Sequence, residues 1–542
     1  MAPSSQPDAS APAPPAWPDR GVAMLVAVGA ALAYVLLYAQ IDIDDTNLIV
    51  YPVVTGQFVW SPAHLLMHPA ALALYRLVGA PDDVVMVLRL ANTASAAMAL
   101  GLGFLLLRRC GVQLGMALAG TTAAWGSFAV LQLATSGHVK LFALPFLMLG
   151  LVLLAGRERR GQAGRIAALV GAGVAWGLAA AFLASFALVG PMVAGLVFLR
   201  AVAARAWPAA RRAVLDYAVL GAAMAAVLVA ALVLGWVASA AAGSGEAFLA
   251  WAAADTTRAE TPGLSMMGLA RAAVGMAKGF AWLYLLPEAA RAWQAGEAPG
   301  LDFGDARVLG EVSALLATLA WMALAALAMV SLWRRGREAE LAVAGALLAA
   351  VVFCVAWGHF EADFQFPVTM LAAFCLALRP PARGLVVALG LLLAGYNLAA
   401  YAAPRLAVDS RATYAQLQAL VGPGDLMVCG CAFSGRHAAY YYPLPANRRV
   451  RVVQDLMEAG SIVRAEAFYT ALEGRIAATL ARGGRVYVFD LLDPGDWGPP
   501  WPQLHAIGVR KEVLRQRLDA AFALAAARDV GGLTSVEVGA KP

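Results

Sequence analysis

Eleven stretches of this chain are apolar for long enough to cross, or nearly cross, a lipid bilayer, and that succession constrains the fold more than any other feature. They lie at 21–40, 84–107, 113–134, 138–156, 165–182, 186–203, 214–240, 308–333, 339–358, 363–379 and 383–403. A helix needs roughly 17–25 residues to span the hydrocarbon. Inside a bilayer the backbone must satisfy its own polar groups, so the expected fold is a polytopic α-helical membrane protein with about 11 transmembrane helices. Composition agrees, since 61% of the residues are hydrophobic, 14% are charged and the mean hydropathy is +0.71. No soluble fold hides that much apolar surface. The first run is as long as a full span and lacks a convincing small-residue cleavage site, so it reads as a retained helix rather than a signal peptide.

The net charge of +6 is distributed in a way that speaks of topology. Arg108-Arg109, Arg157-Glu158-Arg159-Arg160, Arg205 with Arg211-Arg212, Arg334-Arg335 with Arg337, and Arg379 with Arg383 fall at every second connection. That is the pattern of cytoplasmic loops, and it does not suggest nucleic acid. The N-terminus is therefore expected in the cytoplasm and the C-terminus outside, with a bacterial inner (plasma) membrane as the setting. The segment 264–287 is apolar but carries Arg271 and Lys278. It is read as an amphipathic or re-entrant helix on the outer face, with positions 271, 275 and 278 on one side as a stripe of glycine and cations. Two side chains snorkelling to the headgroups explain the same residues equally well.

Outside the apolar body, residues 1–19 are rich in Ala, Pro and Ser and read as a disordered tail, with the helical domain occupying 20–403. From 404 to 542 the apolar runs shorten to strand length. Strands are expected at 425–429, 449–453 and 485–489, and helices at 408–421, 460–482 and 510–527, giving a small C-terminal extracytoplasmic α/β domain. The five cysteines offer neither a disulfide framework nor zinc spacing.

Chemistry is expected where charge meets membrane, because ionisable groups there are costly. Directly after the first apolar run come Asp42, Asp44 and Asp45, followed by Tyr51, Gly56, Trp60, His64 and His68. Three carboxylates within four residues repel one another, which raises at least one pKa and favours a cationic or metal partner; simple solvation at a helix end is the alternative. His64 and His68 would share a face if helical, yet Pro62 and Pro69 interrupt a helix there, and two histidines make a poor metal site. Substrate hydrogen bonding or interfacial packing suits them better, so no metal site is assigned and a divalent cation is not required by the sequence. The turn 135–140 carries His138 and Lys140, either capping the turn or meeting phosphate. His359, Glu361 and Asp363 occupy another polar turn, which either lines the same cavity or merely wets the surface.

The order of parts and the first loop resemble the GT-C superfamily of membrane glycosyltransferases, especially the protein O-mannosyltransferase and lipid A aminoarabinose transferase branch. Asp44-Asp45 stands where that superfamily has an acidic pair, with Tyr51, Gly56 and Trp60 downstream at somewhat tighter spacing. Related enzymes often place a further acid in the second outer turn, and Thr135–Lys140 contains none. The resemblance implies transfer of a sugar from a polyprenyl-phosphate donor to a glycan, lipid or protein acceptor at the outer membrane face, among membrane lipids. Inverting transfer needs a carboxylate to take the acceptor's proton, for which Asp44 is the first choice and Asp45 the next. The leaving phosphate needs cationic partners, and Lys140, Arg258, Arg271 and Lys278 are all expected on the outer side. A transporter or lipid flippase would also combine many spans with buried charge, but no internal repeat is evident. A non-catalytic membrane scaffold gives no reason for the acid cluster.

Overall fold

The computed structural model describes residues 17–38, 49–50, 53, 60, 62–81, 84–157, 161–239, 247–254, 266–285, 304–357, 362–406, 416, 419–422, 424–429, 464–489, 492, 507–530 and 533–541. Helix dominates, as the apolar runs require. Among the described residues, eight helices are long and apolar enough to cross a membrane, or nine if one bent pair counts as a single span. The bent pair is Leu114–Gly126 with Phe128–Ala134, at 65°, and the apolar helices Val139–Ala155 and Phe366–Leu378 are shorter. The eleven expected runs thus divide into eight long helices, a bent pair and two short helices, so eleven full spans do not follow from their lengths.

The short helices explain the difference. Every residue of Phe366–Leu378 is buried, so its all-round apolarity reflects enclosure by other helices as much as contact with lipid. On the outer surface of the bundle, Leu25, Leu32, Leu215, Leu234 and Leu316 stand more than half exposed, which suits hydrocarbon rather than water. Inside, small residues let helices approach closely. Gly103 lies against the Phe374 ring, and Gly150 against Trp176, whose indole donates to the Leu147 carbonyl at 3.2 Å.

The first helix begins at Trp17, earlier than expected, and ends at Leu36. Its early turn is held by Asp19, whose carboxylate lies 2.8 Å from the Arg108 guanidinium. Residues 1–16 lie outside those described.

Near the C-terminus a five-stranded sheet forms from β1 (Leu426–Cys429), β2 (Val486–Phe489), β3 (Phe522–Leu524), β4 (Arg528–Val530) and β5 (Leu533–Ala540), in the order β1-β2-β5-β3 with β4 paired to β5. β1 and β2 run parallel, and the Ala465–Ala481 helix lies between them in the chain. Phe468, Leu472, Ile476, Val486, Val488, Leu514 and Val538 form its core. The helix expected over 510–527 ends at Ala521, because Phe522–Leu524 joins β5 as a strand. The strand expected at 449–453 lies outside the described residues.

Candidate functional site

A polar cluster assembles at one end of the bundle, built around a turn. The helix pair breaks at Ser127, which is extended, and the Gly126 carbonyl freed by the break accepts from the Asn397 amide at 2.8 Å. A side chain on a neighbouring helix thereby satisfies a backbone group that lipid could not. The short Phe128–Ala134 helix then delivers the 135–140 turn beneath the Val84–Arg109 helix. Asn92, fully buried, donates its amide to the carbonyls of Leu133 at 3.3 Å, Ser136 at 2.9 Å and also His138. Thr93 donates to the Ala134 carbonyl at 2.8 Å, and its hydroxyl lies 2.8 Å from that of Tyr38. Arg89, one turn earlier and buried, is close enough to Tyr38 to act on it electrostatically.

Lys140, expected either to cap its turn or to meet phosphate, ion-pairs through its ammonium with Asp363 and sits 3.6 Å above the centre of the Phe364 ring. The lysine side chain is 3% exposed and the aspartate 9%. A charge so enclosed requires a partner, and the Ala362–Phe364 turn provides it. The two residues of this pair are 223 apart in the chain. Gln365, also buried, follows immediately.

His138 lies within electrostatic range of Lys140, Asp363, His64 and His68, so three chain segments meet here. The two histidines of the first loop do not share a helical face. His64 ends the short turn Pro62–His64, whereas His68 lies in the first turn of the Met67–Leu77 helix. Pro69 is accommodated in that first turn, where its missing N–H is not needed. No group of three or more metal-ligating side chains occurs among the described residues.

The Met266–Phe280 helix, 15 residues long, docks at the same end. Its buried side is Gly268, Ala272, Gly275 and Gly279, the last pressed against Gln365. The expected stripe of Arg271, Gly275 and Lys278 runs along the edge of that buried side. Gly275 is buried, while Arg271 is exposed and Lys278 half-buried along one rim, as the helical angle of about 100° per residue places them. The chain leaving this helix is fixed by Asn397, which accepts from the Trp282 amide at 2.9 Å and donates to the Phe280 carbonyl at 2.8 Å.

Asp42, Asp44, Asp45, Tyr51, Arg258, His359 and Glu361 lie outside the described residues. The residues flanking the acids are placed, however. Tyr38 bonds Thr93, while Ile49 and Val50 are buried in a cluster with Leu88 and Val139. Sequence reasoning passed over Arg89 and Asn92. The signal was available, since both interrupt the apolar run 84–107, but averaging over a window of leucine and alanine conceals them.

No protein-family model matches the sequence, and no curated protein does. Several solved structures are similar. ArnT from Cupriavidus metallidurans bound to undecaprenyl phosphate is 14% identical over 95% of this chain and 98% of its own, with a TM-score of 0.45. The archaeal oligosaccharyltransferase AglB from Archaeoglobus fulgidus, in complex with an inhibitory peptide and a dolichol-phosphate, is 12% identical over 97% of this chain and 75% of its own, with a TM-score of 0.45. The protein O-mannosyltransferase Pmt1-Pmt2 complex of S. cerevisiae bound to the sugar donor is 15% identical, with a TM-score of 0.35. That match covers 41% of this chain, which spans only 33% of the mannosyltransferase chain.

Proposed function

We propose that this protein is a GT-C-type glycosyltransferase, moving a sugar from a polyprenyl-phosphate donor to an acceptor hydroxyl at the end of the bundle that holds His138, Lys140 and Asp363. One observation carries the reading. Both ends of the 39–48 segment, which contains the three aspartates, are anchored beside the His138–Lys140 turn, through the Tyr38–Thr93 contact on one side and the packing of Ile49 and Val50 with Val139 on the other. With both anchors there, a site that combines these carboxylates with the polar cluster is within the chain's reach.

In this mechanism Asp44, or Asp45 beside it, takes the proton of the acceptor hydroxyl. The acceptor oxygen forms its bond to the anomeric carbon as the bond to phosphate breaks on the opposite face, which inverts the centre. The departing phosphate gains negative charge that Arg89, Arg258, Arg271 and Lys278 are the cations to stabilise. Lys140, held by Asp363, acts as a fixed charge shaping the field of the cluster. The same proposal places the N-terminus in the cytoplasm and residues 404–542 outside as a separate domain. Reporter fusions after residues 300 and 540 check this, and a cytoplasmic signal at either would overturn it.

The decisive variants are Asp44→Asn and Asp45→Asn, assayed with a polyprenyl-phosphate sugar. An amide keeps the shape but accepts no proton, so Asp44→Asn should lower turnover about 10²–10⁴-fold with donor binding intact, and Asp45→Asn somewhat less. Near-normal turnover in both would exclude a base in this loop.

A further inference from the structure

The opposite end of the bundle contains a cavity that the transfer reaction does not use. It has a volume of about 720 Å³ and lies where the turn between the Val189–Ala203 and Trp207–Ala238 helices meets the turn between Ala306–Arg335 and Glu338–Trp357. Arg200, Arg212, Arg335 and Arg337 contribute to its wall, together with Asp216 and Glu338. Counted by residue the charge is four against two, but the acids are already committed. Asp216 ion-pairs with Arg165 and lies 3.7 Å from Arg157, and Glu338 pairs with Arg157. Neither Arg157 nor Arg165 lines the cavity. Arg337 is shared with Glu340 at 3.1 Å, and Arg200 donates to the Gly336 carbonyl. Arg212 and Arg335 are exposed and make no ion pair with a carboxylate among the described residues. The wall is therefore net cationic, with its surplus on two exposed guanidinium groups.

Depth identifies the occupant. The Ala306–Arg335 helix has 30 residues and Trp207–Ala238 has 32, so each is roughly 45–48 Å long against about 30 Å of hydrocarbon. Their overhanging turns carry the arginines into the headgroup layer. Trp207, 62% exposed beside Pro208 of the cavity wall, is the kind of residue found at that interface. Val214 and Leu215, two turns further along, are more than half exposed.

We infer that this cavity binds the phosphate of an anionic phospholipid headgroup, with Arg212 and Arg335 forming the fork-like contacts that guanidinium makes with phosphate oxygens. The test uses the full-length protein in detergent, with bound lipid counted by native mass spectrometry during titration with phosphatidylglycerol or phosphatidylcholine. Wild type should retain phosphatidylglycerol in preference, and Arg212→Gln/Arg335→Gln should weaken that retention at least tenfold, whereas Arg212→Lys/Arg335→Lys should keep most of it. Both positions are exposed, so folding should survive, and an unchanged melting temperature documents it. Inorganic pyrophosphate added in parallel separates the sources, since a lipid site should lose little of its lipid to it. Equal retention in the Gln variant, equal binding of the two lipids by wild type, or complete displacement by pyrophosphate would each overturn the assignment.

Discussion

The two ends of the helical bundle both carry buried charge, and they hold it by opposite means. At the arginine-rich end, carboxylates are shared: Glu340 takes Arg337 at 3.1 Å and Arg379 at 2.7 Å, and Asp216 sits between Arg157 and Arg165. At the other end one lysine meets one aspartate, both nearly sealed from solvent, the Asn92 amide and the Thr93 hydroxyl donate to backbone carbonyls, and Arg89 is buried close by. The difference follows from cost. Arg337 and Arg379, partly exposed, keep much of their hydration and tolerate an excess of positive charge, and the buried Arg157 there has two carboxylates, Glu338 and Asp216, beside it. A sealed ion pair has no such reserve, and its geometry must be complete.

The largest effect should come from splitting that pair. Lys140→Met leaves Asp363 buried without its cation and is expected to destabilise the protein by about 3–5 kcal/mol. The double variant Lys140→Met/Asp363→Leu should recover most of the loss, measured as melting temperature in detergent. A single variant as stable as wild type would end the contrast between the two ends. Gly279→Ala comes next. Its methyl group would lie 2.5 Å from the Gln365 side chain, so about 1–3 kcal/mol of overpacking strain is expected where the Met266–Phe280 helix docks. A protein unchanged by the methyl would show that this docking is loose.

Glu340→Gln tests the arginine end. Glu340 itself is 4% exposed, but its partners Arg337 and Arg379 are 43% and 35% exposed and can rehydrate, so the loss should be only about 1 kcal/mol. A loss matching that of Lys140→Met would show that both ends are equally dependent on pairing. The smallest effect concerns the C-terminal sheet. Burial pushes the Asp425 carboxyl up, but the Arg485 and Gly422 amides and the Arg485 guanidinium outweigh it and hold the group below the usual carboxylate range. Its contribution is therefore present above about pH 4, the ordinary carboxylate value, and is lost as pH falls through the lower folded value. Asp425→Asn should reduce stability at pH 7 and shrink the acid-side slope, followed by circular dichroism.

Long apolar runs announced the membrane body because lipid demands length and apolarity together. They could not separate a span from a helix enclosed by its neighbours, and Phe366–Leu378 is the case in point. Arg89 and Asn92 were legible as polar interruptions, whereas the Lys140–Asp363 pair was not, since nothing local links residues 223 apart. In the sheet, Gly531-Gly532 between the alternating residues of β4 and β5 is a hairpin signal that helical composition further upstream obscured. The acids at 42–45 were read for their mutual repulsion and as the acidic pair of the superfamily the loop resembles, whereas the anchoring of the flanking Tyr38 and Val50 is visible only in tertiary structure.

The central claim, that the acid run and the His138–Lys140 turn form one site, is tested most directly by cross-linking. With the five native cysteines replaced by alanine, Asp44→Cys paired with His138→Cys should be joined by a short bismaleimide in native membranes. Tyr38→Cys with Thr93→Cys, whose wild-type hydroxyls lie 2.8 Å apart, serves as the positive control. Efficient cross-linking of the 44–138 pair is the predicted result, and a control that cross-links while the 44–138 pair does not would contradict the account.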